Sequence, residues 1–268
     1  MPFAQNDETK IYYQTQGAGE PLLLIAGLGA PHRAWRRIAP LLAEKFRVIT
    51  FDNRGTGATE FPADELFTIP LMVRDAKAVL DAENIASAHI LGMSMGGMIA
   101  QEFALTFPEK TRSLILTVTA CGGANSVPAK PEVYFTLQGG NSNTPEEAFW
   151  AMSPFIYDKS TPREKLEEDI NSREGQFTPP ANFMRQMQAI FIWQGSFDRL
   201  SKIKVPTLIL HGENDQLIPC ANAKILADAI PDSKLVELEN SSHIFTTDQT
   251  EKSAEAILDF LSKTKNHI

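Results

Sequence analysis

The run Phe46–Phe51 is predominantly apolar and stops abruptly at Asp52-Asn53-Arg54-Gly55. A strand with one wet face alternates apolar and polar residues, whereas a strand covered on both faces has no such need. Runs of this kind recur at residues 88–92, 112–118, 205–210 and 234–238, after two earlier strand-like segments at 10–16 and 21–26. Between and after them, residues 95–106, 221–229 and 251–263 carry apolar side chains at helical spacing, the first of these ending before Pro108. Parallel neighbours need a long crossover, and here the crossovers are helical. The pattern therefore predicts an α/β fold: a mostly parallel central sheet flanked by helices.

The interval from Gly122 to about Arg199 breaks the rhythm. It holds nearly half of the chain's aromatic residues, including Phe149, Trp150, Tyr157, Phe183 and Trp193, with several prolines and no convincing buried strand. Residues 1–122 and 200–268 are expected to form one core, and residues 123–199 a helical insertion over one end of the sheet. The alternative is a pair of ordinary crossover helices with long loops, although structureless loops of that length are uncommon in compact domains.

Composition excludes several function classes. The 268 residues include 25 Lys plus Arg against 33 Asp plus Glu, a formal charge of −8, so phosphate backbones and anionic membranes repel the chain. Two cysteines, Cys121 and Cys220, are too few for a disulfide framework and read as buried thiols in a reducing compartment. The first ten residues are polar and lack the apolar stretch of a signal peptide, and no apolar run reaches membrane-spanning length. A soluble, cytoplasmic protein without nucleic-acid or membrane partners is expected; its oligomeric state is not legible.

The sharpest local signal is Ile90-Leu91-Gly92-Met93-Ser94-Met95-Gly96-Gly97, a strand turning within two residues into a helix. Such a turn strains the serine backbone and projects its hydroxyl above the strand end; side chains at Gly92 and Gly96 would collide where the helix crosses neighbouring strands. Ser94 would also stand at a helix N-terminus, which favours developing negative charge. A serine that merely caps a helix is the plainer reading.

A serine hydroxyl needs a base, and the base an orienting acid. Of the five histidines, His89 lies within a strand, His211 ends one and suits a structural hydrogen bond, His32 follows the first strand-loop and could face the site, and His267 falls in a tail expected to fray. His243, in the polar turn Asn240-Ser241-Ser242-His243 after the last strand, is the best candidate base. The loop His211-Gly212-Glu213-Asn214-Asp215 supplies the acid, Asp215 being favoured over Glu213. The strand running into Thr117-Val118-Thr119-Ala120-Cys121 offers no carboxylate there. Backbone amides of Met95 and, from the loop Ala26-Gly27-Leu28-Gly29, of Leu28 are the expected oxyanion donors. That loop also suggests a dinucleotide site, with Asp52 ending the next strand, but the third glycine is missing and Pro31 stands where a phosphate-binding helix would begin. No His or carboxylate pair has metal-ligand spacing on one element.

With these residues in hand, the sequence resembles the α/β-hydrolase superfamily over nearly its whole length. The resemblance rests on the elbow from Gly92 to Gly96, the acid loop from His211 to Pro219, the Ser-Ser-His turn and their serine, acid, histidine order, and it includes Phe51-Asp52-Asn53-Arg54-Gly55-Thr56-Gly57, a turn in which Asp52 and Arg54 are expected to pair. Among subfamilies it is most similar to small esterases, 3-oxoadipate enol-lactonases and cofactor-free perhydrolases. Haloalkane dehalogenases are excluded, since their nucleophile is an aspartate where this chain has Ser94. The resemblance implies an α/β-hydrolase fold with a helical cap between strands 6 and 7, no cofactor and no metal. It implies a serine hydrolase acting on a small carboxylic ester or lactone, with Ser94, Asp215 and His243 as catalytic triad. A C–C bond hydrolase or perhydrolase with the same triad is one alternative, and a ligand-sensing protein with little turnover another. Such relatives usually carry His-Gly at the oxyanion loop, where this chain has Ala26-Gly27. Arg163, Arg173, Arg185 and Arg199, all within the insertion, could read a substrate carboxylate or simply be solvated.

Overall fold

The computed structural model describes residues 2–173 and 177–264; His267 lies outside them. Eight strands form the sheet: β1 (Phe3–Asn6), β2 (Thr9–Gln16), β3 (Glu20–Ile25), β4 (Phe46–Phe51), β5 (Ala88–Met93), β6 (Thr111–Thr117), β7 (Thr207–Gly212) and β8 (Ser233–Leu238). Their order is β1-β2-β4-β3-β5-β6-β7-β8, with β1/β2 and β2/β4 antiparallel and every other pair parallel. The helices are α1 (Ala39–Ala43), α2 (Ile69–Ala82), α3 (Met95–Thr106), α4 (Pro131–Leu137), α5 (Pro145–Ile156), α6 (Arg163–Asn171), α7 (Pro180–Ile192), α8 (Ala221–Ala229), α9 (Phe245–Asp248) and α10 (Thr250–Thr264).

The apolar runs are continuous because both sheet faces are dry. Along β3, Leu23 and Ile25 join Met72 and Val79 of α2, Phe103 of α3 and Leu226 of α8 in one core. Leu22 and Leu24, pointing the other way, join Leu42 of α1 and Ile257 and Leu261 of α10 in a second. Full burial of each such side chain is worth roughly 1.5–3 kcal/mol, against at most about 1 kcal/mol for an exposed ion pair, so these two layers hold the sheet.

Among the elements not read from the sequence are β1 and α2. β1 buries only Ala4, so its four residues carry no apolar pattern. Helix α2 has a helical stripe (Ile69, Met72, Val73, Ala76, Val79, Leu80) and a start signal, the Thr68 hydroxyl accepting from Leu71 N at 3.2 Å.

Between β6 and β7 the chain forms α4 to α7; α4, α5 and α6, with Tyr157 between the last two, build a separate apolar cluster including Val133, Phe149, Met152, Ile156 and Ile170, whereas Ala189 of α7 joins the first core. Phe149 and Tyr157 are buried in that separate cluster, whereas Phe135 and Phe191 are exposed.

The turn from β5 into α3 is the tightest crossing in the molecule's centre. A Cβ on Gly92 would lie 2.2 Å from the Gly96 carbonyl oxygen, and one on Gly96 would lie 2.0 Å from the Ile25 carbonyl oxygen of β3. Both obstacles are backbone, which cannot rotate aside. Gly96→Ala should therefore destabilise the fold by about 3 kcal/mol or more, the upper end of overpacking costs, as read by urea unfolding; a loss under about 1 kcal/mol would contradict the crossing.

Candidate active site

Parallel strands end on one side of a sheet, so the loops after β3, β5, β7 and β8 converge at a single edge. Ser94 follows β5 and opens α3 with φ 56° and ψ −121°, a region costly for any residue with a side chain. The strain is held by hydrogen bonds: Ser94 N donates to Thr117 O at 3.0 Å, and Thr119 Oγ1 donates to Ser94 O at 2.7 Å. Met95 is the first residue of α3, so its N–H has no acceptor within the helix. Leu28 follows Gly27, whose α-carbon backs onto Ser94 so closely that a Cβ there would sit 3.1 Å from Ser94 Cβ.

Asp215 lies in the loop after β7 with its side chain wholly buried. Its Oδ1 accepts from Leu217 N at 2.9 Å and Ile218 N at 2.8 Å. Its Oδ2 stands 2.7 Å from His243 Nδ1 and 3.3 Å from His211 Nε2. Burial alone would raise the pKa of this carboxyl, but the electrostatic attraction of His243 and the hydrogen bonds of His211 and His243 outweigh it and hold the value at about 2. Glu213, the competing acid, is exposed and accepts instead from Asn240 N at 2.9 Å.

With His243 Nδ1 turned to Asp215, Nε2 is the ring nitrogen left for a hydroxyl proton. The loops are in backbone contact: Asn214 N donates to Ser241 O at 2.9 Å. Ser94, His243, Leu28 and Met95 all line one cavity of about 580 Å³, whose walls include Met98, Phe149, Met152, Ile156, Phe183 and Leu217. This volume falls within the range usual for small-molecule sites.

Most of the other sequence candidates do not line the cavity. His89 Nδ1 is 2.8 Å from Ser113 Oγ, and His211 Nε2 is 2.8 Å from the Ile218 carbonyl oxygen. His32 does not line the cavity; its Nδ1 is 2.7 Å from Asp52 Oδ1. Asp52 and Arg54, expected to pair with each other, do not. Asp52 accepts from the His32 and Ala58 amides, while buried Arg54 reaches Asp75 on α2, Nε to Oδ2 at 2.5 Å, and Glu65. A guanidinium this buried needs a carboxylate at the same depth, and Asp75 supplies it. Of the four arginines named from the sequence, Arg173 lines the cavity, over the Phe149 ring at 5.4 Å. Arg163 is tied to Glu167, Arg199 to Glu102, and Arg185 to the Ala63 carbonyl.

Among the residues that frame the site and that sequence reasoning missed are Asn53 and Asp248. Asn53 Nδ2 donates to the Ala26 carbonyl at 2.9 Å, bracing the loop that carries Leu28. Asp248 accepts from Ser242 N at 2.7 Å, Asp158 N at 3.2 Å and Thr161 Oγ1 at 2.6 Å, joining the His243 turn to the segment after α5. No local signal marks either: Asn53 reaches back to the loop after β3, and two of the three partners of Asp248, Asp158 and Thr161, come from a distant part of the chain.

A deeply cut cavity with a serine at a strained strand-to-helix turn defines the class: a hydrolase of α/β fold. Residues 20–248 match the family model described as alpha/beta hydrolase fold, and the chain belongs to that family. It is 30% identical over 263 residues to a protein of Azorhizobium caulinodans named for carbamate hydrolysis, RutD, covering 97% of this chain and 98% of that one. It is 30% identical over 267 residues to the 2-hydroxy-6-oxononadienedioate/2-hydroxy-6-oxononatrienedioate hydrolase of Paraburkholderia phymatum, covering 96% and 92%. The enol-lactonase of Burkholderia xenovorans superposes with a TM-score of 0.83 at 24% identity, covering 97% of this chain and 100% of that one. No described helix is long and apolar enough to cross a membrane.

Burial pushes the Asp248 carboxyl up to about 6, against the pull of its three hydrogen bonds. Between the ordinary carboxylate range and that value the folded state holds a proton that the unfolded chain has released. Its contribution to stability is therefore full below the unfolded value and falls as pH rises through this window. Asp248→Asn stays neutral throughout. Its melting temperature relative to the parent should rise between about pH 4 and about pH 6.5; a constant difference would show that Asp248 does not titrate there.

Proposed function

We propose that this protein is a serine hydrolase that cleaves a carboxylic ester or lactone through an acyl-enzyme. The observation that carries the reading is the His243–Asp215 pair at 2.7 Å in the same cavity as Ser94 on its strained turn. Ser94 Oγ attacks the acyl carbonyl as His243 Nε2 takes its proton, and the Leu28 and Met95 amides receive the oxyanion. Collapse expels the alkoxide, which takes the proton from His243. Water, deprotonated by the same imidazole, then attacks the acyl carbonyl and releases the acid and Ser94. Asp215, ionised far below neutral pH, holds the ring tautomer and stabilises the imidazolium. Residues 123–199 act as a helical cap, since Tyr134, Phe149, Met152 and Phe183 from this segment line the cavity roof.

A C–C bond hydrolase using the same serine is the second reading, favoured by the 30% identity to a hydrolase of 2-hydroxy-6-oxo dienedioates. Products separate the two: an ester yields an alcohol, a C–C substrate a second carbon fragment.

The test is intact-mass analysis after incubation with a small fluorophosphonate, then peptide mapping. One label at Ser94, absent from Ser94→Ala, is expected; a folded protein that takes no label would overturn the reading. Ser94→Ala and His243→Ala should each lower kcat by on the order of 10⁶-fold and the double variant little further, while Asp215→Asn should cost roughly 10⁴-fold. Strongly additive losses, or a greater loss from Glu213→Gln, would contradict the assigned roles.

The cavity's apolar walls give a second expectation. Along a p-nitrophenyl ester series from acetate to hexanoate, kcat/KM should rise by about fourfold per methylene, the equivalent of about 0.8 kcal/mol for each buried CH₂. A series that peaks at acetate would mean the acyl chain does not enter this cavity.

A further inference from the structure

Gln186 is fully buried on α7, and its amide bridges two loops to which α7 does not belong. Gly29 N donates to its Oε1 at 2.8 Å, and its Nε2 donates to the Arg54 carbonyl at 2.5 Å. A buried primary amide that spends its acceptor on one backbone and a donor on another fixes the spacing between them. The first backbone is the loop that carries Leu28. The second is the turn after β4, which is anchored in turn: Arg54 is bonded through its side chain to Asp75, and Asn53 holds the Ala26 carbonyl.

The loop is thus gripped at both ends, by Asn53 at Ala26 and by Gln186 at Gly29, with the Leu28 amide between the two grips. Position 26 is alanine and offers the loop no polar side chain of its own. Residues of α7 and just before it complete the grip on Gly29. Thr178 Oγ1 donates to its carbonyl at 2.9 Å, and the Phe183 ring lies so near that a Cβ on Gly29 would stand 2.7 Å from it.

We infer that Gln186 is the positioning residue of the oxyanion hole: it holds the loop in the geometry that aims the Leu28 N–H at the adduct on Ser94. The inference rests on the serine hydrolase reading and deepens it. Gln186 belongs to the segment that roofs the cavity, so the hole is complete only while α7 is seated on the core. Substrate enclosure and oxyanion stabilisation are then one event.

The experiment compares the full-length protein with Gln186→Met and Gln186→Glu, using a p-nitrophenyl ester for kcat and KM and a fluorophosphonate for the labelling rate at Ser94. Methionine keeps the volume and loses both hydrogen bonds. It should lower kcat and labelling rate together by on the order of tenfold, less than the roughly 10²–10³-fold cost of deleting an oxyanion donor, with KM nearly unchanged. Glutamate restores both bonds only when protonated, its carbonyl accepting from Gly29 N and its hydroxyl donating to the Arg54 carbonyl. Its kcat should therefore exceed that of the methionine variant at lower pH and fall as the carboxyl ionises, an alkaline limb the parent lacks. This limb keeps the inference testable if the methionine variant does not fold. A methionine variant with a lower melting temperature but unchanged kcat per folded molecule would overturn the inference, as would a glutamate variant without the limb. A parent protein that neither hydrolyses esters nor labels at Ser94 would instead overturn the hydrolase reading itself.

Discussion

Everything at the cavity depends on one crossing of backbones. Helix α3 approaches β5 and β3 so closely that the Gly96 and Ile25 carbonyl oxygens occupy the space where Cβ atoms of Gly92 and Gly96 would lie. That approach leaves Ser94 alone between the end of β5 at Met93 and the start of α3 at Met95, in a positive-φ conformation. The strain, of order 1–3 kcal/mol, is sustained because one apolar layer packs α3 against the sheet while β5 is buried in both layers. The turn therefore has no route by which to relax without opening the core.

The second dependence is electrostatic. Asp215 is buried, and an isolated buried carboxylate is costly; here two backbone amides and two imidazoles face its oxygens. The pair with His243 thus keeps its charge where most carboxyls at this depth would take up a proton. Asp248 shows the opposite balance. It also receives hydrogen bonds, but no cation faces it among its principal partners, and burial prevails. Two aspartates near one turn end up with pKa values on opposite sides of the ordinary range.

The segment between β6 and β7 is joined to the core by buried polar groups rather than by packing alone. Asp169 of α6 accepts from Arg36 and Arg37, and its other oxygen accepts from Tyr157 Oη at 3.0 Å and Thr247 Oγ1 at 2.6 Å. Asp248 and Gln186 make comparable ties at the His243 turn and at the Leu28 loop. Each removes a donor or acceptor from solvent and would leave it unsatisfied if the segment shifted, which gives this part of the molecule one preferred seat.

The sequence by itself determined the succession of strands β2 to β8, the crossing at Gly92 and Gly96, and the candidates Ser94, Asp215 and His243. These are local statements: a doubly buried strand must be apolar throughout, and a tight crossing must be built from glycine. The contest between Asp215 and Glu213 was narrower, since both follow β7 within a few residues, and only the direction of each side chain separates them. Strand β1 stayed hidden because it buries a single small side chain. The expected pairing of Asp52 with Arg54 failed because adjacency in a turn says nothing of depth, and the buried guanidinium found its carboxylate on α2. Gln186 and Gly29 are 157 positions apart, and a glutamine amid helical spacing looks like any solvated side chain. Only the tertiary structure decided which polar groups lost their water, and that loss fixes which partner each of them must find.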